Sequence, residues 1–490
     1  MKTLRKFLQL SSFVTTNKVK QLRTSINWGF GELLCHFLPR NGWLRRMPII
    51  IFFYLALLTI GCTSTAITVK DLYTLPQDHT YYLTADSLSV PESVQASQEH
   101  SYMTNYFLPW HPDKAPPAQD VFMKPFLQFT ENPGYGENRQ KRDVSWFEEL
   151  RENAALENYP NMNTTAISLT TTNLRFVPTE KPRFNTPDGY PFDRFQISSI
   201  LPNTPLRVLH VSSDRAWFLV EAPYAHGWIA SRDMAFVDHS FIHTWESGRH
   251  VVITKDKTPI YDQYDNFFFQ APIGSVFPLV EETDTMFRIL VAAADTNKQG
   301  VIIPVSLSQK VAAVRPLPLT GKNMSHITNE LINEPYGWGG LYQNRDCSAM
   351  LKDLFAPFGI WLPRYSGDQA REVGHFIDLS TLSRQEKEKK ILEEGIPYLT
   401  LLLMRGHIML YMGIHDGEPL VFHNVWGITV KKGEKNTQRV YIGHGAITTL
   451  HPQIVEDPSF RDDLIDKIIG MTLVLHPEDI KPLKSSSGTE

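Results

Sequence analysis

From Glu334 the chain reads Glu-Pro-Tyr-Gly-Trp-Gly-Gly and, after three residues, Asn344-Arg345-Asp346-Cys347-Ser348. One proline and three glycines in seven positions exclude a regular element and predict a tight, exposed loop. Asp346 is a good helix N-cap. Beyond it Leu351, Leu354, Phe355 and Phe358 recur on one helical face, which Gly359 closes. Cys347 is therefore expected in the first turn of a helix, where free N–H groups and the macrodipole favour the thiolate. A thiolate is a nucleophile; a thiol is not. A lone cysteine is more commonly a buried structural residue, but the loop, the cap and the helix start together favour a reactive one.

Composition narrows the class. A chain of 490 residues with 42% hydrophobic content is long enough for several globular domains. A net charge of −4 argues against a nucleic-acid binder, which would carry a basic face. Three cysteines, Cys35, Cys62 and Cys347, form neither a disulfide framework nor a CxxC pair, and no HExxH occurs, so no metal or other cofactor is expected. With 33 prolines and 18 tyrosines the chain reads as rich in loops and strands rather than as a helical bundle.

Arg45-Arg46 precede a 13-residue apolar run, Pro48 to Ile60, and then Gly61-Cys62-Thr63-Ser64-Thr65. A basic start, a short apolar core and small residues read as an export signal. The run is shorter than the roughly 20 residues that span a bilayer. Gly61-Cys62 resembles a bacterial lipoprotein signal, with Cys62 as the lipidated residue, although Thr59 stands where Leu is usual. Plain secretion or a signal anchor is the alternative. Residues 1–62 are thus expected to be a leader, with Met47 as an alternative start.

Residues 63–100 are polar and Ser/Thr-rich with little periodicity, which predicts a tether or a loosely ordered lead-in. Within Ser101–Pro160 a Gly-Tyr-Gly turn and a short helix from Trp146 to Leu156 read as a wrap, because the segment lacks apolar sequence for a core of its own. We assign 63–163 to this clamp. Short strands with turn signals follow in two sets, among them Leu174-Arg175-Phe176-Val177, Leu206 to Val211, Trp217 to Val220 and Gly227-Trp228-Ile229, then Val251-Val252-Ile253, Val276 to Val280 and Gly300 to Pro304. They predict two small barrels, 164–240 and 241–316. Pro316-Leu317-Pro318 reads as a stiff linker to a final domain, 317–490.

A cysteine nucleophile needs a base and a group to orient that base. Leu399 to Met404 reads as a buried strand, Arg405-Gly406 as a turn, and His407 opens a second apolar strand, His407 to Ile414. A turn at Asp416-Gly417 returns the chain through Phe422-His423-Asn424. A histidine on an apolar strand requires a polar partner, and a merely satisfied core histidine is the commoner case. The register decides. Around an even Asp416-Gly417 turn, His423 falls on the face opposite His407; a longer loop or a bulge places both on one face. Asn424 is the alternative orienting residue.

Taken in order, Pro335-Tyr336-Gly337-Trp338-Gly339-Gly340, Asp346-Cys347-Ser348, Leu362-Pro363-Arg364-Tyr365-Ser366, Gly406-His407 and Phe422-His423 resemble the NlpC-type cell-wall cysteine endopeptidases of the papain-like clan. The wrap and two SH3-like barrels resemble the longer members. The resemblance implies an α+β fold, a papain-like catalytic domain preceded by two SH3-like barrels and a wrapping segment. It also implies hydrolysis of the γ-D-glutamyl–meso-diaminopimelate bond in peptidoglycan peptides. Cys347 would be the nucleophile, His407 the base and His423 the orienting residue. Tyr336 would line the cleft near the oxyanion, and Asp346, Ser348, Arg364 and Ser366 would contact the peptide or shape its pocket. Tyr365 stands where members that demand a free N-terminal L-Ala carry an acid, so Asp368 or the first barrel would have to supply that charge; Tyr224 is a candidate for that wall. The expected partners are peptidoglycan or its released peptides and a membrane reached through a lipid anchor, for a periplasmic monomer. Rival readings are another amidase or a thioester-mediated transfer, and a wall-binding lipoprotein with an inactive hydrolase domain.

Overall fold

The computed structural model describes residues 68–83, 88–433 and 436–480. The leader, with Cys35 and Cys62, lies outside the described residues. No helix among them is long and apolar enough to cross a membrane.

The segment expected to be a loose tether is ordered where it is described. A helical turn, Asp71–Thr74, and a 16-residue helix α1, Glu92–Phe107, lie along the C-terminal domain. Side chains that made the segment look disordered satisfy backbone groups of that domain instead. The Asp71 carboxylate accepts from the Thr449 N–H at 2.7 Å and its hydroxyl at 2.9 Å. Gln77 exchanges hydrogen bonds with both backbone groups of Ile447 (3.0 and 2.9 Å). Buried Gln95 serves the carbonyls of Leu317 and Phe358 and the N–H of Leu319.

Helices α2, Gln119–Glu131, and α3, Val144–Ala154, cover the outside of the first barrel. Asp143 caps α3 by accepting the Ser145 N–H. The barrel is a seven-stranded sheet of β1 (Thr164–Ser168), β2 (Thr172–Arg175), β3 (Gln196–Ile200), β4 (Pro205–Val211), β5 (Trp217–Ala222), β6 (Ala225–Ala230) and β7 (Met234–Phe236), ordered β3-β2-β6-β5-β4-β1-β7. Alternation along the strands serves two cores. Val208, Val220 and Ile229 point inward, while their neighbours Leu209, Leu219 and Trp228 pack against Phe126, Phe147 and Leu150 of the clamp. The wrap is thus the second face of a sheet that would otherwise leave Trp228 in water.

After α4, His239–Glu246, the second barrel combines β8 (His250–Ile253), β9 (Thr258–Tyr261), β10 (Phe267–Ala271), β11 (Val276–Glu282), β12 (Met286–Ala294), β13 (Gly300–Ser308) and β14 (Ala312–Val314). Its strands enclose Val251, Ile260, Phe277, Ile289 and Val305.

The last domain begins with α5, Gly321–Leu331, and then α6, Cys347–Phe355, continued by one tight turn to the left-handed Gly359 (φ 75°). Leu351, Leu354, Phe355 and Phe358 are fully buried, as their spacing predicts; each contributes about 1.5–3 kcal/mol of hydrophobic stabilisation. After α7, Ser366–Arg371, come β15 (His375–Asp378), helix α8 (Arg384–Glu394), β16 (Thr400–Met404), β17 (His407–His415), β18 (Glu418–Lys432), β19 (Asn436–Thr449) and β20 (Ile468–Leu473). The six strands form one antiparallel sheet, β15-β20-β16-β17-β18-β19, on which α6 packs through Leu401, Ile408, Leu410 and Phe422.

Burial lowers the pKa of several histidines of this fold, His210 among them. Burial lowers His79 to about 3 and His250 and His407 to about 4, and takes His423 well below the ordinary imidazole range. Below pH 6.5 the unfolded chain therefore binds protons that the folded chain refuses, so stability is lost as pH falls through that value. The melting temperature should be flat above pH 7 and fall between pH 6.5 and 5, before the carboxylates titrate. A flat calorimetric profile across that window would contradict the buried, neutral assignment.

Candidate active site

The glycine loop is not exposed, contrary to the sequence expectation. Gly339 and Gly340 are buried against β3 of the first barrel, both in the left-handed region (φ 61° and 85°). A Cβ on Gly340 would meet Ser199 Oγ at 2.4 Å, and one on Gly339 would meet Gln196 Cγ at 2.6 Å. The glycines therefore permit close approach as well as a turn. Gln196 Nε2 donates to the Gly339 carbonyl (2.9 Å) and Trp338 Nε1 to the Asp193 carbonyl (2.9 Å), locking loop to barrel.

Asp346 caps α6 as predicted, accepting the Ala349 N–H at 2.9 Å. Its other oxygen accepts the Gly339 N–H at 2.9 Å and an Arg364 N–H at 2.7 Å. The remaining Arg364 donors go to Ser348 Oγ (2.9 Å) and, across the module boundary, to Ser198 Oγ of β3 (2.7 Å). Asp346, Ser348 and Arg364 are thus spent on one another and on the first barrel. They shape the pocket wall and have few donors left for a peptide.

Cys347 follows the cap directly and is 7% exposed. The backbone N–H of Ile408, one residue past His407, lies near enough to the sulfur to favour its ionised form, so α6 meets β17 beside the base. The Asp416-Gly417 turn has both residues at positive φ (50° and 82°), a two-residue hairpin pairing His415 with Glu418. That even register alone would put His423 on the far face. A bulge between Tyr411 and Gly413 shifts the pairing to Leu410–Phe422 and restores the parity. His423 consequently joins His407, Nδ1 to Nε2 at 2.9 Å. Asn424 points away, with Nδ2 on the Glu334 carbonyl at 3.4 Å, and is not the orienting residue.

These contacts order the protons. For His407 Nδ1 to accept from the thiol, Nε2 must carry the hydrogen and donate to His423 Nδ1. His423 Nε2 then carries the other hydrogen, and its partner is Thr448 Oγ1 at 3.3 Å. Burial, and then the Asp346 carboxylate, push the Cys347 thiol up to about 12, against the Ile408 N–H and Arg364. His407 is lowered to about 4 by burial. The helix dipole that favours a thiolate is opposed by desolvation, which raises the Cys347 thiol and lowers His407. Tyr336 lies close enough for a Cys347 charge to raise its pKa further, after burial, so its hydroxyl stays protonated. That hydroxyl has no hydrogen-bond partner among the described residues and is available as a donor.

Ser366 opens α7, half-buried, with its hydroxyl free among the described residues. Tyr365 is 47% exposed, with Asp368 close enough to raise its pKa. Tyr224, the candidate wall residue of the first barrel, is engaged by contacts of its own. Its hydroxyl donates to the Ser199 carbonyl (2.8 Å) and its ring sits under Lys352 Nζ at 4.6 Å, on the flank of α6. Sequence reasoning missed Ser198, Thr448 and Trp426, whose ring meets Tyr336 at 6.0 Å. A buried polar position after the apolar Ala446-Ile447 pair was the available signal for Thr448. The proton order predicts that Thr448→Val, which leaves His423 Nε2–H unpaired, slows Cys347 alkylation and any turnover at least about tenfold, as loss of an orienting partner does. Thr448→Ser should restore both; equal rates in wild type and Thr448→Val would refute the tautomer chain.

Four family models match the chain. They are the NlpC/P60 stabilising domain (N-terminal) over residues 50–159, an SH3 domain of SH3b1 type over 182–230, an SH3 domain of SH3b2 type over 238–284, and the NlpC/P60 family over 333–444. No curated protein matches. Among solved structures, an NlpC/P60 endopeptidase from Photobacterium damselae subsp. piscicida is 25% identical with a TM-score of 0.72, covering 82% of this chain and 97% of that one. An NlpC/P60 family protein from Bacillus cereus ATCC 10987 is 15% identical with a TM-score of 0.43, covering 64% and 100%. Residues 333–444, which hold Cys347, His407 and His423, are therefore an NlpC/P60 domain, carried behind an NlpC/P60 stabilising domain and two SH3 domains.

Proposed function

We propose that this chain is a cysteine endopeptidase of the bacterial cell wall that hydrolyses the γ-D-glutamyl–meso-diaminopimelate bond of peptidoglycan peptides. The observation that carries the reading is Cys347 at the N-terminus of α6, facing a strand that presents the His407–His423 pair, inside the NlpC/P60 match. His407 takes the thiol proton as the sulfur attacks the amide carbonyl. The backbone N–H of Cys347 and the Tyr336 hydroxyl receive the oxyanion, each such donor being worth about 3 kcal/mol. His407 then protonates the leaving amine, and water releases the acyl group from sulfur. The bond specificity follows the family resemblance. Export through the leader, with Cys62 as a lipid-anchored N-terminus in the periplasm, belongs to the same reading and rests on the Arg45–Thr65 pattern.

The test is mass spectrometry of the purified full chain, wild type and Cys347→Ala, with L-Ala-γ-D-Glu-diaminopimelate peptides and with intact sacculi. Release of fragments cut after D-Glu, absent in the variant, is the expected result. A folded protein with an alkylatable thiol that cuts neither substrate would move the reading to a wall-binding module. With a base already neutral at rest, the acid limb of kcat/KM should lie below pH 6.5, towards 4, rather than at the ordinary imidazole value; a limb at 6.5 or above would contradict the buried pair.

A further inference from the structure

A cleft of about 820 Å³ opens where the clamp loop, the first barrel and the glycine loop meet, and Cys347 does not line it. Such a volume accommodates more than one sugar ring. Two tyrosines stand in its lining, Tyr190 at 55% and Tyr342 at 69% exposure. Tyr342 and Gln343 both have positive φ (60° and 58°), a conformation ordinarily left to glycine or asparagine. Strain of this kind persists where the surroundings over-determine it, and it clusters at functional sites. Here it presents a phenol to the same cleft that Tyr190 lines. The remaining lining is polar through side chains. Thr171 Oγ1 is enclosed and unpaired. Arg139 of the clamp loop reaches Asp188 of the barrel at 3.4 Å, and Arg232 reaches Glu180 at 3.6 Å, all of them water-accessible.

Flat amphipathic rings and exposed carboxylate–guanidinium pairs suit a ligand with apolar ring faces and vicinal hydroxyl or acetamido groups. Carboxylates of Glu137, Glu180, Asp188 and Asp233 outnumber the two arginines, which disfavours a phosphate-rich polymer. A run of ring contacts links the rim of the cleft to the candidate active site. Tyr190 meets Trp426 at 5.8 Å, Trp426 meets Tyr336 at 6.0 Å, and Tyr336 lies beside Cys347. Gly340 belongs to the lining, and its neighbour Gly339 donates to Asp346.

We propose that this cleft is a saccharide subsite that holds N-acetylated amino sugars of the glycan strand while the Cys347 site acts on the attached peptide. The proposal rests on the hydrolase reading above for its substrate, but not for its binding chemistry. Glycan-linked stems then bind better than released peptides of the same sequence.

Two measurements on the full chain test it. The first is calorimetric titration with triacetylchitotriose, for wild type, Tyr342→Asn and Arg139→Ala. Asparagine tolerates the left-handed backbone, so the first variant keeps the loop and loses the ring. Wild type should bind, and Tyr342→Asn should bind about tenfold more weakly. The second is KM for a disaccharide-linked peptide against the sugar-free peptide. A lower KM for the linked form, abolished by Tyr342→Asn with kcat unchanged, is expected. No triacetylchitotriose binding, or equal affinity in all three proteins, overturns the proposal, as does competition by free peptide at this cleft in place of sugar. Sugar binding without cleavage of either peptide would keep the subsite and overturn the hydrolase reading; cleavage with equal KM and no sugar binding would do the reverse.

Discussion

The buried pair of Asp346 and Arg364 is the point at which the molecule is tied together. One carboxylate closes the first turn of α6, fixes the Gly339 N–H and holds a guanidinium 3% exposed to solvent. Burial opposes the charge on Asp346, and the Arg364 guanidinium together with the Ala349 and Gly339 N–H groups more than compensates. Removing either partner would strand the other in a water-poor interior, at a cost of about 3–5 kcal/mol. The same guanidinium reaches Ser198, so the position of the helix that carries Cys347 depends on a strand from another module.

That dependence is general in this chain. The core beneath Cys347 includes Leu83 and Leu88 of the N-terminal segment and Ile273 of the second barrel. Arg345, next to the cap, is fully engaged with Asp256 of the second barrel and Asp353 of α6. Arg315 meets Glu99 of α1 in the same manner. A barrel that looks like a separate binding module is, on the side facing α6, part of the wall of the site.

What the sequence made legible was local. The cap, the helix face ending at Gly359 and the Asp416-Gly417 hairpin depend on residues a few positions apart, and each appears in the structure. The placement of His423 depended on one bulge, for which Gly413 (φ 103°) is a sign only in retrospect. The glycine loop misled because glycine serves both exposed turns and close packing, and only the partner strand separates them. The polar lead-in misled for a related reason: Asp71, Gln77 and Gln95 look solvated until their backbone partners, hundreds of positions away, are known. Ser198, reached by Arg364 from a different module, belongs to the same long-range class.

The burial of Cys347 has a consequence for durability. Oxidants and stray electrophiles attack the thiolate, and their rate follows the population of that anion and its accessibility. A thiol this deeply covered and this reluctant to ionise offers little of either. A cysteine so covered is shielded from such reagents by the fold itself.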